Sequence, residues 1–323
     1  MPAQWKFKDL KPLSAGALAF LFALSSNSTA LAQQIETVTT EESASALVSS
    51  TPTDLEQAGD NRRSTDQQTN IFDGDYITLG VGALYSPSFQ GSDDYAIFPA
   101  PAVVGRIGGI NFVSRGTGVS ADLWTNEERR NVDLILGPVA RLRFDRTSLG
   151  SINDPVIETL GNVDLPLELG ISAGVQLSNV FTPVDTIAAA IEVKHDVVGA
   201  HNGLIITPNI TYFTAISEGV VVSATISGEI VNDDFADTYF SIDAADSLAS
   251  GLPVYQAKGG LKNITSLLLV GFDLDGNLAN GGFAVFGAVS YQRILGDTSD
   301  SPIISIRGDA DQYVGAIGIG YTF

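Results

Sequence analysis

The sequence predicts an all-β protein, a transmembrane antiparallel β-barrel of about 12 strands, preceded by a cleaved signal peptide and a disordered amino-terminal tether. Three observations carry that expectation. The chain closes on Asp311-Gln-Tyr-Val-Gly-Ala-Ile-Gly-Ile-Gly-Tyr-Thr-Phe323, which sets Tyr313, Ile317, Ile319, Tyr321 and Phe323 on one face of a strand and Gln312, Gly318, Gly320 and Thr322 on the other. A strand in lipid needs this alternation, with apolar residues and interfacial aromatics outward and small or polar residues inward. Mean hydropathy is +0.18 and hydrophobic residues make up 44% of the chain, yet no segment after the leader reaches a spanning length without a charge or a cluster of glycines. Only helices and closed barrels satisfy the backbone in lipid, and a barrel needs alternation in place of long apolar runs. Third, the first residues have the parts of an export signal.

That signal comprises Lys6, Lys8 and Lys11, an apolar run from Leu13 to Leu24, and an A-x-A site at Ala30 and Ala32. The run is shorter than the roughly 20 residues a spanning helix needs, so residues 1–32 read as a cleaved signal peptide. Removing Lys6, Lys8, Lys11 and Asp9 with it shifts the formal net charge from −20 to about −22. Such a charge makes nucleic acid an improbable partner. The 33 glycines suit small inward positions, and a chain without cysteine fits a barrel closed by hydrogen bonds in an oxidising periplasm.

Residues 33–74 are rich in Ser, Thr, Gln and acids without a sustained period, and read as a periplasmic tether. Residues 75–323 read as the barrel. Alternation of Ile77, Leu79, Val81, Ala83 and Tyr85 gives the first strand. The second runs from Ala96 to Arg106, where Pro99 and Pro101 suggest a bulge or local distortion. Further strands are expected over 110–114, 118–124, 132–144, 163–177, 186–195, 204–213, 220–231, 264–273, 282–294 and 312–323. Counted from a periplasmic start, 108–109, 125–131, 179–185, 216–219 and 274–280 fall on the short-turn side, and the longer 87–95, 145–162, 232–260 and 296–311 fall outside. The short connection at 115–117 reads as an outer turn, which gives twelve strands; a bulge within one strand is the alternative.

Segments read in order resemble the MipA/OmpV family of outer-membrane proteins. They are Gly80-Val-Gly-Ala-Leu-Tyr-Ser-Pro-Ser-Phe-Gln-Gly-Ser-Asp-Asp-Tyr95 with Phe98-Pro-Ala-Pro101, Gly137-Pro-Val-Ala-Arg-Leu-Arg-Phe-Asp-Arg146, Gly161-Asn-Val-Asp-Leu-Pro-Leu-Glu-Leu-Gly170, Gly199-Ala-His-Asn-Gly203, Thr238-Tyr-Phe-Ser-Ile242, Leu295-Gly-Asp-Thr-Ser-Asp-Ser-Pro302 and the closing Gly318-Ile-Gly-Tyr-Thr-Phe323. The resemblance implies the outer membrane of a Gram-negative bacterium, surrounding outer-membrane lipid, and a non-enzymatic scaffold that holds murein-remodelling enzymes, a murein transglycosylase and a peptidoglycan synthase, at the membrane. Solute uptake and adhesion are the alternatives among relatives. Tyr321 and Phe323 form the membrane-insertion signal offered to the barrel-assembly machinery.

No cofactor, catalytic or metal residue is expected. Gly91-Ser-Asp-Asp-Tyr95 and 296–302 supply oxygen ligands suited to Ca²⁺, but structural turns account for them better. The run Asp273-Leu-Asp-Gly-Asn277 resembles the start of an EF-hand loop, but Ala284 stands where the twelfth-position glutamate belongs. His195 and His201 lack a G-x-S-x-G serine to activate. The candidate site is a set of lumen charges, Arg141, Arg143, Glu168, Glu192 and Lys194, with Asp164 nearby. Strand charges must avoid lipid, and these either line a polar passage or plug a narrow barrel with ion pairs.

Overall fold

The computed structural model describes residues 70–124, 131–147 and 152–323. The expected leader and most of the expected tether lie outside the described residues. Twelve strands form one closed antiparallel barrel in which each strand pairs with its neighbours in sequence and β1 pairs with β12. They are β1 (Tyr76–Pro87), β2 (Tyr95–Ile107), β3 (Ile110–Arg115), β4 (Gly118–Asp122), β5 (Val132–Leu142), β6 (Leu167–Ser178), β7 (Thr186–Asp196), β8 (Leu204–Ser217), β9 (Val220–Val231), β10 (Gly260–Asp273), β11 (Gly282–Ile294) and β12 (Asp311–Thr322). Closure through Leu79↔Tyr321 and Val81↔Ile319 removes the sheet edge that lipid forbids.

Alternation sorts each strand between lipid and lumen. Leu134 and Leu136 of β5, Ile171 and Val175 of β6, and Tyr313, Ile317 and Ile319 of β12 are exposed on the outside. Aromatic pairs ring both ends. Tyr321 contacts Phe283 and Phe323 at centroid distances of 4.7 and 4.6 Å, while Tyr85 stacks on Tyr95 at 5.1 Å and Tyr291 lies 5.4 Å from Tyr313. Such girdles mark the two membrane interfaces.

Two sequence expectations change, and one is met. Pairing of β1 with β2 is continuous from Tyr76↔Arg106 to Pro87↔Tyr95, so Pro99 and Pro101 cause no bulge. The connection at 115–117 is the outer hairpin turn that the twelve-strand reading expects, because Asn111 to Arg115 pair in register with Asp122 to Gly118. β6 begins at Leu167 and not Val163. Pro166 cannot donate to a ladder, and Val163 instead bridges Thr147, its N–H donating to the Arg146 carbonyl at 2.7 Å.

The Gly108-Gly109 turn shows why residue type fixes a hairpin. Both residues have positive φ, 59° and 80°, as a two-residue turn matched to strand twist requires. The outer connections carry short helices that period-2 reading did not reveal: α1 (Pro155–Glu158), α2 (Asp233–Phe240), α3 (Ala244–Ser250), α4 (Gly296–Asp300) and α5 (Pro302–Ser305).

Two apolar clusters close the barrel from opposite ends. At the short-turn end Phe72, Tyr76, Val104, Val113, Phe213, Val221, Leu267 and Leu269 fill the lumen, with Phe72 set edge-on against Tyr76 at 4.9 Å. At the outer end Phe89, Ile205, Phe235, Tyr239, Phe240, Ile303 and Ile304 join the loop helices to the strand ends.

Phe286 lies opposite Gly318 in the β11–β12 register, and any side chain at 318 would run into its ring. Gly318→Val is expected to cost about 1–3 kcal/mol by overpacking, read as a lower urea midpoint for refolding into vesicles. The double variant Gly318→Val, Phe286→Ala should recover part of that loss.

Candidate functional site

The lumen charges converge because β5, β6, β7 and β9 turn the phase that carries them inward. Val139, Arg141 and Arg143 continue one face at the outer end of β5, and all are buried. Arg141↔Glu168 is a cross-strand pair of β5 and β6. Arg141 Nε donates to Glu168 Oε2 at 2.6 Å and Arg143 Nε donates to Glu168 Oε1 at 2.8 Å. Both guanidiniums reach across the lumen to Glu229 of β9 at 3.4 Å. Lys262 Nζ also donates to Glu229, and to Gln90 Oε1 at 3.0 Å. Beside this group Lys194 Nζ donates to Glu192 at 2.6 Å and to Thr207 Oγ1 at 3.3 Å.

Arg141, Arg143, Glu168, Glu192 and Lys194 thus all lie in the lumen, where they pair with one another. Asp164 stands apart, on the connection before β6. Sequence reasoning passed over Glu229 and Lys262, and weighed His201 only as a base without a serine. Glu229 was legible, since it shares the inward phase of Ser223 and Thr225 on β9. Lys262 was not. Alternation backwards from the outward Ile264 would aim it at lipid, but the β9–β10 register shifts between Leu261 and Asn263, and this bulge turns Lys262 and Asn263 both inward. His201 lies in the β7–β8 turn, where Asp196 accepts its backbone N–H at 2.8 Å. Its Nδ1 accepts from Gly203 N–H at 2.9 Å, and its Nε2 sits 3.5 Å from Glu168.

The outer cap rests on this network through α2. The Phe235 ring takes Arg143 at 4.8 Å and Lys262 at 4.9 Å, both from ring centroid, so a cation–π pair joins helix to lumen. Arg146 Nη1 donates to the Tyr239 carbonyl at 2.8 Å, Ser301 Oγ donates to that of Phe240 at 2.6 Å, and Tyr255 Oη donates to that of Asp297 at 2.7 Å. Asp154 begins α1, accepting from the Val156 and Ile157 N–H groups and, at 2.9 and 2.8 Å, from Arg307 across the cap.

Between the charge network and the short-turn apolar layer remains a chamber of about 70 Å³, lined by Thr207, Asn209, Thr265 and Gln292 among others. Among the described residues, no group of three or more His, Cys, Asp or Glu could hold a metal. The Asp273 to Asn277 stretch is a hairpin turn, its Asp273 carboxylate accepting from the Asp275 and Asn277 N–H groups.

Glu229 faces three cations, so Glu229→Gln leaves buried positive charge uncompensated. A loss of about 3–5 kcal/mol is expected, measured by refolding into vesicles. Arg293→Ala, which breaks a half-exposed pair with Asp311, should change stability by less than about 1 kcal/mol. Asp154 offers a pH test. Burial pushes its carboxyl up, but the Arg307 pair and the helix N–H groups outweigh burial and hold it below its ordinary value. A depressed carboxylate contributes stability that is full above the unfolded value of about 3.9 and disappears as pH falls through the folded one. A ¹³C titration should place Asp154 below about 3.9, and Arg307→Ala should move it upward.

Solved structures resemble the chain at low identity. The COG4313 outer membrane channel from Pseudomonas putida F1 is 10% identical with a TM-score of 0.41, over 81% of this chain and 100% of that one. OprD from Pseudomonas aeruginosa is 11% identical with a TM-score of 0.35, over 76% of this chain and 65% of that one, so the chain spans just under two thirds of its length. OmpT of Vibrio cholerae is 8% identical with a TM-score of 0.33, over 77% and 97%. No protein of curated function matches. The closed barrel, its apolar belt and its aromatic girdles belong to the outer membrane of a Gram-negative bacterium. The family model described as MltA-interacting protein MipA matches residues 79–323, and the chain belongs to that family.

Proposed function

We propose that this outer-membrane barrel is a non-enzymatic anchor that holds a murein transglycosylase, and with it a peptidoglycan synthase, against the inner face of the outer membrane. The observation that carries this reading is the filled lumen. A barrel whose outer end is packed by ion pairs and helices, and whose other end is packed by aromatic and aliphatic side chains, presents surfaces to partners more readily than a passage to solutes. The family description, an MltA-interacting protein, supports the identity of the partner. The contact surface proposed is the short-turn rim, where Trp124, Phe181 and Leu274 on three separate connections and Ile216 at the end of β8 are at least half exposed, together with the expected tether over 33–74.

The experiment pairs two measurements on the mature chain. In a planar bilayer the refolded barrel should stay silent, whereas steps whose ion selectivity shifts on neutralising Arg141 and Arg143 would assign a pore instead. Immobilised barrel should retain purified murein transglycosylase, and deletion of residues 33–69 should weaken that capture with the heat-modifiable barrel intact. Capture by neither the mature chain nor the deletion variant would refute the anchor.

A further inference from the structure

The barrel wall is lower at one place. β3 and β4 have six and five residues. Rising from the turn at Gly108-Gly109 at about 3.3 Å per residue with a tilt near 40°, β3 climbs roughly 15 Å against an apolar band about 25 Å tall. On the β2 side pairing stops at Val104↔Val113, so the hairpin tip at Gly116-Thr117 lies well below Tyr95 of the outer girdle, while on the other side Gly118 meets Arg141 at the outer end of β5. Beyond it β2 continues through residues 95–103, paired with β1 on one side and, among the described residues, with no strand on the other.

The chemistry of this free edge is unusual. The Val103 N–H donates to Ser114 Oγ at 2.9 Å, on the β3 side. Backbone groups two residues apart point the same way along a strand, so Ile97, Pro99 and Pro101 present theirs to the gap. The two prolines have no N–H, which leaves three carbonyls and a single donor. At membrane depth such an edge is tolerated where it lines a polar cavity.

A polar cavity reaches the hairpin tip beside that edge. The 70 Å³ chamber runs from the hairpin tip at Thr117 and Gly118 to Lys194, Asn209 and Gln292. Asn209 Nδ2 and Gln292 Nε2 are buried without a hydrogen-bond partner, in side chains 8% and 5% exposed. Lys194 has a third N–H beyond those given to Glu192 and Thr207. Of the charged side chains that line the chamber, Arg141, Arg143 and Lys194 face Glu192 and Glu229, one positive charge in excess. Unused donors and a positive balance within a strongly acidic protein favour an oxyanion.

We infer that the low wall is a lateral portal and that the chamber behind it binds a phosphate-type anion, presented by an amphiphile of the outer leaflet or free in solution. The mature chain in detergent micelles is titrated calorimetrically with inorganic phosphate and with dihexanoyl phosphatidic acid. Both should bind. The variant Asn209→Leu, Gln292→Leu removes donors that have no partner to lose, so it should fold, as heat-modifiable mobility will show, and weaken both ligands by roughly tenfold or more. Ala100→Trp, which narrows the gap from β2, should weaken phosphatidic acid and leave phosphate unchanged. Binding of neither ligand, or binding indifferent to the double variant, overturns the site. Phosphate binding without phosphatidic acid supports the site and refutes the membrane route, and lipid binding unaffected by Ala100→Trp in a folded barrel refutes the portal.

Discussion

A backbone N–H or C=O at membrane depth must find its partner within the protein or face a polar cavity, and the rest of this structure follows from that constraint. It forces closure of β1 on β12, for which residues at opposite ends of the barrel sequence must match in register. It also forces alternation, because a strand in a closed wall has one face for lipid and one for the lumen. Glycines at inward positions such as Gly318 are a consequence, since a narrow lumen leaves room for the Phe286 ring only where its cross-strand partner has no side chain.

A barrel of this size still has to fill its interior, and the two ends do so differently. The short-turn end uses apolar side chains, which need no partners. The outer end uses ions, which are costly to bury and return that cost only when every charge is met. The five-membered group of Arg141, Arg143, Glu168, Glu229 and Lys262 meets the condition by sharing: each carboxylate accepts from two or more cations. Phe235 then covers two of those cations with its ring, so the helix of the longest outer loop is held by the same charges that fill the barrel. Disturbing the ions therefore disturbs the cap, and the outer half of the molecule behaves as one packed unit.

How much of this could be read from sequence depends on the range of the interaction. Strand existence and order were legible because lipid imposes alternation locally, residue by residue. The closing strand was the clearest case, its Tyr321 and Phe323 at the interface where an aromatic belongs. The lumen position of Arg141, Glu168 and Lys194 followed from the same local rule. Their partners did not. The turning of Lys262 into the lumen depends on a bulge that exists only in the pairing of β9 with β10. The burial of His201 depends on α2 folding back over the mouth, and nothing within 199–203 announces a helix thirty residues away. The cap helices were missed because each is short and gains its stability from tertiary burial, with hardly any periodicity of its own.

The prolines of β2 show how a local signal can be read correctly and placed wrongly. Pro99 and Pro101 announce a lost ladder bond, and a bulge is the usual way to absorb one. Here the ladder with β1 is unbroken, because both imide nitrogens point to the side where β3 has already ended. Proline on a free edge costs the ladder nothing and denies a foreign strand its donors. Short β3 and β4 and the paired prolines of β2 are thus one feature in three strands: a wall that stops early needs a neighbour whose exposed edge is chemically blunted. The chain places that edge above the hairpin tip at Thr117 and Gly118, which is where the part of the lumen that is neither packed with apolar side chains nor fully satisfied by ion pairs begins.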